Sequence, residues 1–287
     1  MFERRINKRL LGAAAAIAAG NLAVPAAGAV TNEHEAALAA KRVAITKVGG
    51  HAVKSASSAI VSKAHHKRHY RSSGGTAAVR LPTGCTSPGG TTVTTGPHYP
   101  RRVALTFDDG PSVKNTPKIL NILNHFGVHG TFFEEGKHVR GREELMTEIL
   151  ASGDEIGNHS YHHPQDPGYG ELVQTNHRIQ EATGFKPCLF RPPYGLVNSN
   201  VSSAASRLGL EIVEWSVDSL DDKHPGVSAI RSNVLSQAEP GSVILMHDGG
   251  HHPQTVRALP GIIRGLKDQG FGFATVTELT GGHCTYK

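Results

Sequence analysis

Residues 101–136 read RRVALTFDDGPSVKNTPKILNILNHFGVHGTFFEEG, and the order of apolar and polar positions in this stretch decides the fold. Val103 to Phe107 is a short apolar run broken only by Thr106, and it ends in two adjacent carboxylates, Asp108 and Asp109. Ile119, Ile122, Leu123 and Phe126 then recur at i, i+3, i+4 and i+7, the spacing of one helical face, and Gly127 supplies a left-handed C-cap. A second apolar run follows at Gly130 to Phe133. Two buried strands joined by a crossover helix lie parallel.

The same alternation continues to the C-terminus. Further apolar runs stand at Glu155–Asn158, Cys188–Phe190, Ile212–Val217, Val243–Met246 and Phe271–Val276, with helical stretches and Gly or Pro breaks between them. Seven such units imply an α/β fold with a parallel sheet, either a barrel or a doubly wound sheet. In both, the chemistry gathers at the carboxyl ends of the strands. With 287 residues and 38% hydrophobic content, the chain is long enough for one barrel-sized domain plus extra segments.

Three regions are expected. Residues 1–29 carry Arg4, Arg5, Lys8 and Arg9 ahead of an Ala/Leu/Ile run ending in small residues, the pattern of a secretory signal peptide; the Arg pair leaves the export route open. Residues 30–97 are rich in Ala, Lys, His, Ser, Thr and Gly with almost no aromatics, which reads as a flexible basic linker. Residues 98–287 form the folded domain. No later stretch is long and apolar enough to span a bilayer, so no membrane partner is expected after leader cleavage.

Charge divides along the same boundaries. The leader carries four Lys/Arg against one acid, the linker nine against two, and the domain 17 against 21. The sequence pI of about 9.3 therefore belongs to the segments outside an acidic domain. A nucleic-acid enzyme places positive charge on the folded surface that meets phosphate, so nucleic acid is excluded as a partner. The cluster His65, His66, Lys67, Arg68, His69 and Arg71 reads as a solvated tail or as an electrostatic attachment to an anionic cell wall. Of Cys85, Cys188 and Cys284, an exported protein can pair two; spacing does not fix which, and Cys85 with Cys284 is the expectation.

Polar clusters fall just past five of the seven runs: Asp108-Asp109, His159 to His163, Arg191 to Gly195, Asp218 to Asp222, and His247-Asp248. Thr106-Phe-Asp-Asp-Gly-Pro111 taken alone suits a tight turn as well as a catalytic strand end. Adjacent carboxylates can divide the work, one binding a metal and its neighbour taking a proton from water. His159 and His163, spaced i, i+4, can face one ion, and with a carboxylate they make a two-His, one-carboxylate set with open positions. His162 is not expected to be a ligand. Arg191-Pro-Pro-Tyr-Gly195 is rigid enough to aim an amide N–H at a developing oxyanion, and Arg191 carries a permanent charge suited to orienting Asp108. Asp221 can hold the second nitrogen of His247. His251 and His252 read as loop histidines.

These five clusters resemble the five motifs of the polysaccharide deacetylases, carbohydrate esterase family 4 with the NodB homology domain, over about residues 101–280. TFDDGP stands at 106–111, H(S/T)xxH at 159–163, RPPYG at 191–195 and LxLxH at 243–247. The resemblance implies a distorted (β/α)7 barrel. It implies Asp109, His159 and His163 as ligands of a divalent metal, Zn²⁺ foremost with Co²⁺ or Ni²⁺ as alternatives. It further implies Asp108 as general base, His247 as general acid, Arg191 and Asp221 as their orienting partners, and the Tyr194 amide as oxyanion donor. Tyr194, Pro192, Leu245 and Asp222 would contact substrate. Two positions depart from the pattern: Asp222 replaces the tryptophan of DxxDW, and Val243 replaces the first leucine of LxLxH. An aspartate there leaves the acetyl pocket wetter and more acidic, unless another side chain fills it.

The implied activity is a secreted or cell-wall-associated, monomeric, metal-dependent hydrolase removing acetyl groups from N-acetylglucosamine units of a peptidoglycan- or chitin-type polysaccharide. An O-deacetylase such as an acetylxylan esterase is the alternative within enzymes, and a wall-associated sugar-binding module with an impaired site is the alternative outside them.

Overall fold

The computed structural model describes residues 80–88, 92–98 and 100–286. The expected leader and the His65–Arg71 cluster lie outside the described residues. Two segments assigned above to the flexible linker are strands: β1 (Pro82–Thr86) and β2 (Thr92–Val93). The folded unit thus begins before His98. β1 pairs antiparallel with the last strand, β11 (His283–Tyr286), and β2 pairs parallel with the strand Glu211–Val213, so each finds a partner from a distant part of the chain that no local pattern announces.

The main sheet is parallel throughout. β3 (Arg102–Gly110) lies at its centre, followed on one side by β4 (Gly130–Glu134), β5 (Glu155–Asn158), β6 (Leu189–Phe190) and β7 (Glu211–Val213), and on the other by β9 (Val243–His247) and β8 (Val217–Asp218). β10 (Gly272–Phe273) pairs with the start of β3. The run Ile212–Val217, expected as one strand, is two. β7 pairs with β6 and β2 while β8 pairs with β9, so Glu214, Trp215 and Ser216 cross from the strand beside β2 to the edge strand β8 at the opposite end of the sheet order. That break makes the barrel a distorted one. The last run is also shorter than expected, because Thr275 leaves the strand to form a capping box with Glu278 at the start of the helix Val276–Thr280.

Strand periodicity sorts the side chains of β3. Val103, Leu105 and Phe107 join the outer core with Phe132, Ile244 and Met246, packed under Ile119, Leu120 and Leu123 of the helix Thr116–Phe126 and Ile262, Ile263 and Leu266 of the helix Pro253–Asp268. Each such fully buried side chain contributes about 1.5–3 kcal/mol. Ala104, Thr106 and Asp108 face the barrel interior, where Ala104 meets Phe133, Leu189 and Val213 and the two polar residues meet Arg191. The helix Thr116–Phe126 ends at Gly127 with φ 60°, as its sequence implies.

The disulfide differs from the expected pair. Cys85 is bonded to Cys188, with Cα atoms 5.4 Å apart, and Cys284 is free. β1 is hydrogen-bonded on both sides: Cys284 stands opposite Cys85 in β11, while Cys85 N–H donates to the Lys186 carbonyl and Lys186 N–H to the Thr83 carbonyl. The second set draws Cys85 onto the segment leading into β6. Burial, reinforced by the nearby Glu155 charge, pushes the Cys284 thiol up to about 12, so it stays protonated and unreactive. Peptide mapping without reductant should recover a Cys85–Cys188 cross-link and a Cys284 that is alkylated in denaturant but resists alkylation in the native protein. Cys188→Ser should cost about 2–5 kcal/mol in denaturant unfolding, and Cys284→Ser less than about 1 kcal/mol.

Candidate active site

The strand ends of β3, β5, β6 and β9 converge on one cavity of about 330 Å³. Asp108, near the end of β3, is buried at 3% exposure and faces His247 of β9 across the ladder. Its Oδ1 accepts a 2.8 Å hydrogen bond from Arg191 Nη1. Arg191 itself has no exposed surface: Nη1 also donates to Thr106 Oγ1 (2.7 Å), Nε to the Val213 carbonyl (3.1 Å) and Nη2 to the Glu214 carbonyl (3.1 Å). Its plane lies over the Phe133 ring at 4.2 Å. Burial lowers the Arg191 pKa and Asp108 opposes the shift; a guanidinium remains charged regardless.

Asp109 sits at a bulge near the end of β3 with φ 72°, and Asp108 Oδ2 lies 3.8 Å from His159 Nε2. Asp109 Oδ1 lies 3.3 Å from His159 Nε2 and 3.4 Å from His163 Nε2, and the three candidate ligand atoms fall within 4.8 Å of one another. The two histidines do not share a helical face. They flank a loop in which Ser160 and His163 adopt left-handed backbone (φ 64° and 63°), with Ser160 N–H donating to Asn158 Oδ1 and His163 N–H to Ser160 Oγ. His159 Nδ1 is 2.8 Å from the Arg191 carbonyl. A carbonyl only accepts, so Nδ1 carries a proton and Nε2 is the nitrogen turned to Asp109; burial disfavours the charged ring, but the Asp108 and Asp109 carboxylates raise the His159 pKa.

This set fits a divalent ion. Asp109 Oδ1 is buried without a hydrogen-bond partner, an arrangement that is costly unless a cation completes it. Burial by itself would raise the Asp109 pKa, but His159, His247 and His163 together hold it below the usual carboxylate range. Burial, with the neighbouring His159 charge, lowers the His163 pKa and keeps it neutral, the form a ligand needs. His162, by contrast, points outward and pairs with Glu171 at 2.9 Å.

His247 Nδ1 lies 2.7 Å from Asp221 Oδ1, and Asp221 Oδ2 accepts from the His247 N–H (2.9 Å) and Thr255 Oγ1 (2.6 Å). Burial works against a charged imidazole here, yet Asp221, helped by Asp108 and Asp109, raises the His247 pKa to about 9. Nδ1 is committed to Asp221, which leaves Nε2 as the free nitrogen of a residue that lines the cavity.

Pro192, Tyr194, Leu245 and Asp222, the candidate substrate contacts, all line the cavity. Tyr194 is left-handed (φ 60°), 60% exposed, and its ring meets His163 at 4.6 Å. Asp222 is turned to Lys223, 2.7 Å away. An indole nevertheless lines the cavity, that of Trp215. Trp215 comes from the break between β7 and β8 and packs so closely on Gly195 that a Cβ there would lie 2.8 Å from the ring. The sequence held one clue to it: this is the only tryptophan in the chain, three residues before Asp218.

His252 is the other residue that sequence reasoning missed. It lines the same cavity and stacks between His247 (5.2 Å, 24°) and the exposed His224 (5.3 Å, 28°). Burial, with the adjacent His247 charge, holds its pKa down, so a neutral ring lies on a charged one. Beneath the site, Glu134 and Asp248 converge on Gly110, where a Cβ would lie 2.3–2.6 Å from their oxygens. Burial, with Asp248 alongside, pushes the Glu134 pKa well up, as expected of like charges away from water.

Fold and site define an α/β-barrel protein with a candidate metal-dependent hydrolytic centre. Residues 95–213 match the family model described as polysaccharide deacetylase. A peptidoglycan-N-acetylglucosamine deacetylase of Bacillus cereus is 38% identical over 192 residues, covering 64% of this chain and 70% of that protein. The Listeria monocytogenes enzyme of the same description is 38% identical over 187 residues, 63% of this chain but only 39% of its own length. The crystal structure of a peptidoglycan N-acetylglucosamine deacetylase superposes with a TM-score of 0.64 at 36% identity, covering 66% of this chain and 92% of that one. The chain belongs to the polysaccharide deacetylase family.

Asp109→Ala should weaken Zn²⁺ binding by at least about 100-fold in competition with a chromogenic chelator, while His162→Ala leaves it unchanged.

Proposed function

We propose that the protein removes acetyl groups from N-acetylglucosamine units of a peptidoglycan- or chitin-type polysaccharide outside the cell. The observation that carries this reading is the pairing of two oriented acid–base groups, Asp108 with Arg191 and His247 with Asp221, around one cavity that also holds the Asp109–His159–His163 set. Family membership supports the same chemistry.

A divalent ion, foremost Zn²⁺, held by Asp109, His159 and His163 would polarise the acetyl carbonyl and acidify a water. Asp108, with Oδ1 tied to Arg191, keeps Oδ2 free to take the proton as that water attacks the carbonyl carbon. The Tyr194 amide donates to the developing oxyanion. His247 Nε2 then gives its proton to the sugar nitrogen as the C–N bond breaks, releasing acetate and a free amine. Asp221 stabilises the charged imidazole until that moment. Trp215 and Leu245 wall the cavity that takes the acetyl methyl, so the substitution at Asp222 does not remove the apolar contact.

An amide leaves as a poor leaving group without a proton, and the strength of the His247–Asp221 pair favours N-acetyl over O-acetyl substrates. Assays of acetate and free amine from peptidoglycan and chitin oligomers, with acetylxylan alongside, test this with Zn²⁺, Co²⁺ or Ni²⁺ supplied. Release from acetylxylan alone, or from none, would overturn it. Asp108→Asn should be inactive, and His247→Ala should lower kcat by about 10²–10⁴-fold on N-acetyl substrates. The pH dependence has a definite sign. The folded pKa of His247 is raised to about 9, so the acid is present below that value and activity falls as pH rises through it. The same shift makes a contribution to stability that is full below about 6.5 and is lost through about 9.

A further inference from the structure

Beside the cavity, and sharing Asp109 with it, lies a second depression of about 280 Å³, whose lining includes Val113, Lys114, His138, Arg142 and Gly250. Asp109 lines both spaces, so they adjoin. Charge segregates between them. The cavity described above is lined by Asp108, Asp109, Asp218 and Asp222 with no lysine or arginine, whereas the flank carries Lys114 and Arg142 and no acid besides Asp109.

These two cations are uncommitted. Among the described residues Lys137, Arg178, Arg191 and Lys223 each have a carboxylate partner, but none lies within ion-pair distance of Lys114 or Arg142. Arg142 is nevertheless oriented, because its Nη1 donates to the His138 carbonyl. The His138 ring donates from Nδ1 to the Asp109 carbonyl at 3.0 Å, which ties the flank to the candidate metal ligand. A pinned guanidinium with free donors beside a mobile ammonium suits a planar carboxylate. Val113, 65% exposed, adds an apolar contact next to them.

We propose that this flank is a subsite for a carboxylate on the sugar adjoining the unit that reacts, so that acidic N-acetylated glycans are bound in preference to neutral ones. The inference rests on the deacetylase reading above and adds to it a choice among polymers. The acetylated unit, neutral itself, occupies the acid-rich cavity, and its neighbour's charge sets which way the chain lies across the two spaces.

The test uses a matched pair: an alternating N-acetylglucosamine–N-acetylmuramic acid tetrasaccharide with free lactyl carboxylates, and the same compound with those groups converted to carboxamides. The full protein loaded with Zn²⁺ should show a lower KM for the carboxylate form, with the difference shrinking as salt is raised. Lys114→Ala with Arg142→Ala should raise KM for the carboxylate form roughly threefold to tenfold, leave kcat unchanged, and alter the carboxamide form and chitotetraose less than about twofold. Equal affinity of the native protein for both forms, or equal losses on both in the double variant, would overturn the proposal. Calorimetric binding of the same pair to chelator-treated protein repeats the comparison without turnover. Failure to release acetate from any glycan therefore counts against the activity, while loss of carboxylate discrimination counts against the subsite.

Discussion

The Arg191 guanidinium, buried without exposed surface, is the interaction on which the rest of the site depends. A charge away from water is tolerated only when it is paired and its donors are used, and removing a partner costs about 3–5 kcal/mol. Arg191 meets that condition by reaching Asp108 and Thr106 on β3, the Val213 and Glu214 carbonyls at the end of β7, and the face of Phe133 on β4. The peptide groups that stop making sheet hydrogen bonds at the barrel's break are thereby given a donor. Its own carbonyl, in turn, fixes the proton on His159. One residue thus couples the proposed base, a candidate metal ligand and the irregularity of the barrel.

Environment divides the carboxylates into roles. Asp108 is held by a guanidinium and Asp221 by an imidazole, a hydroxyl and a backbone amide, while Asp109 has a buried oxygen with no hydrogen bond at all. Two of these have their hydrogen bonds supplied by the protein, Asp108 as the proposed base held by Arg191 and Asp221 as the partner of His247; the third has an oxygen left without one, where a cation would fit. The same logic separates the histidines. His247 is raised by its carboxylate partner, and His163 and His252 are lowered chiefly by burial, so neutral and charged rings coexist within one cavity.

Much of the site was legible because its residues sit at strand ends. Apolar runs mark buried strands, and the polar residues that follow them must emerge at one end of a parallel sheet. Asp108, Asp109, His159, His163, Arg191, Tyr194, Asp221 and His247 could all be located this way. The position of Trp215 could not, since it lies inside an apolar run that breaks between two strands, β7 and β8, far apart in the order of the sheet. Nor could His252, whose partners His247 and His224 come from other loops.

By itself the sequence carried the parallel α/β architecture and the separation of an acidic stretch from basic segments, because periodicity and charge are local properties of the chain, and its motifs, through their resemblance to a known family, named the candidate acid–base and ligand residues. Only the tertiary structure decided which cysteine Cys85 joins, where the folded unit begins, which indole walls the cavity, and how charge is distributed between the two adjoining spaces. Each of these depends on contacts between residues far apart in sequence: Cys85 with Cys188 across 103 positions, Thr92 with Ile212, and the flank of Lys114 and Arg142 with Gly250. Pairings of that kind are set by how the sheet curls and closes, a property of the whole barrel that no window of the chain contains.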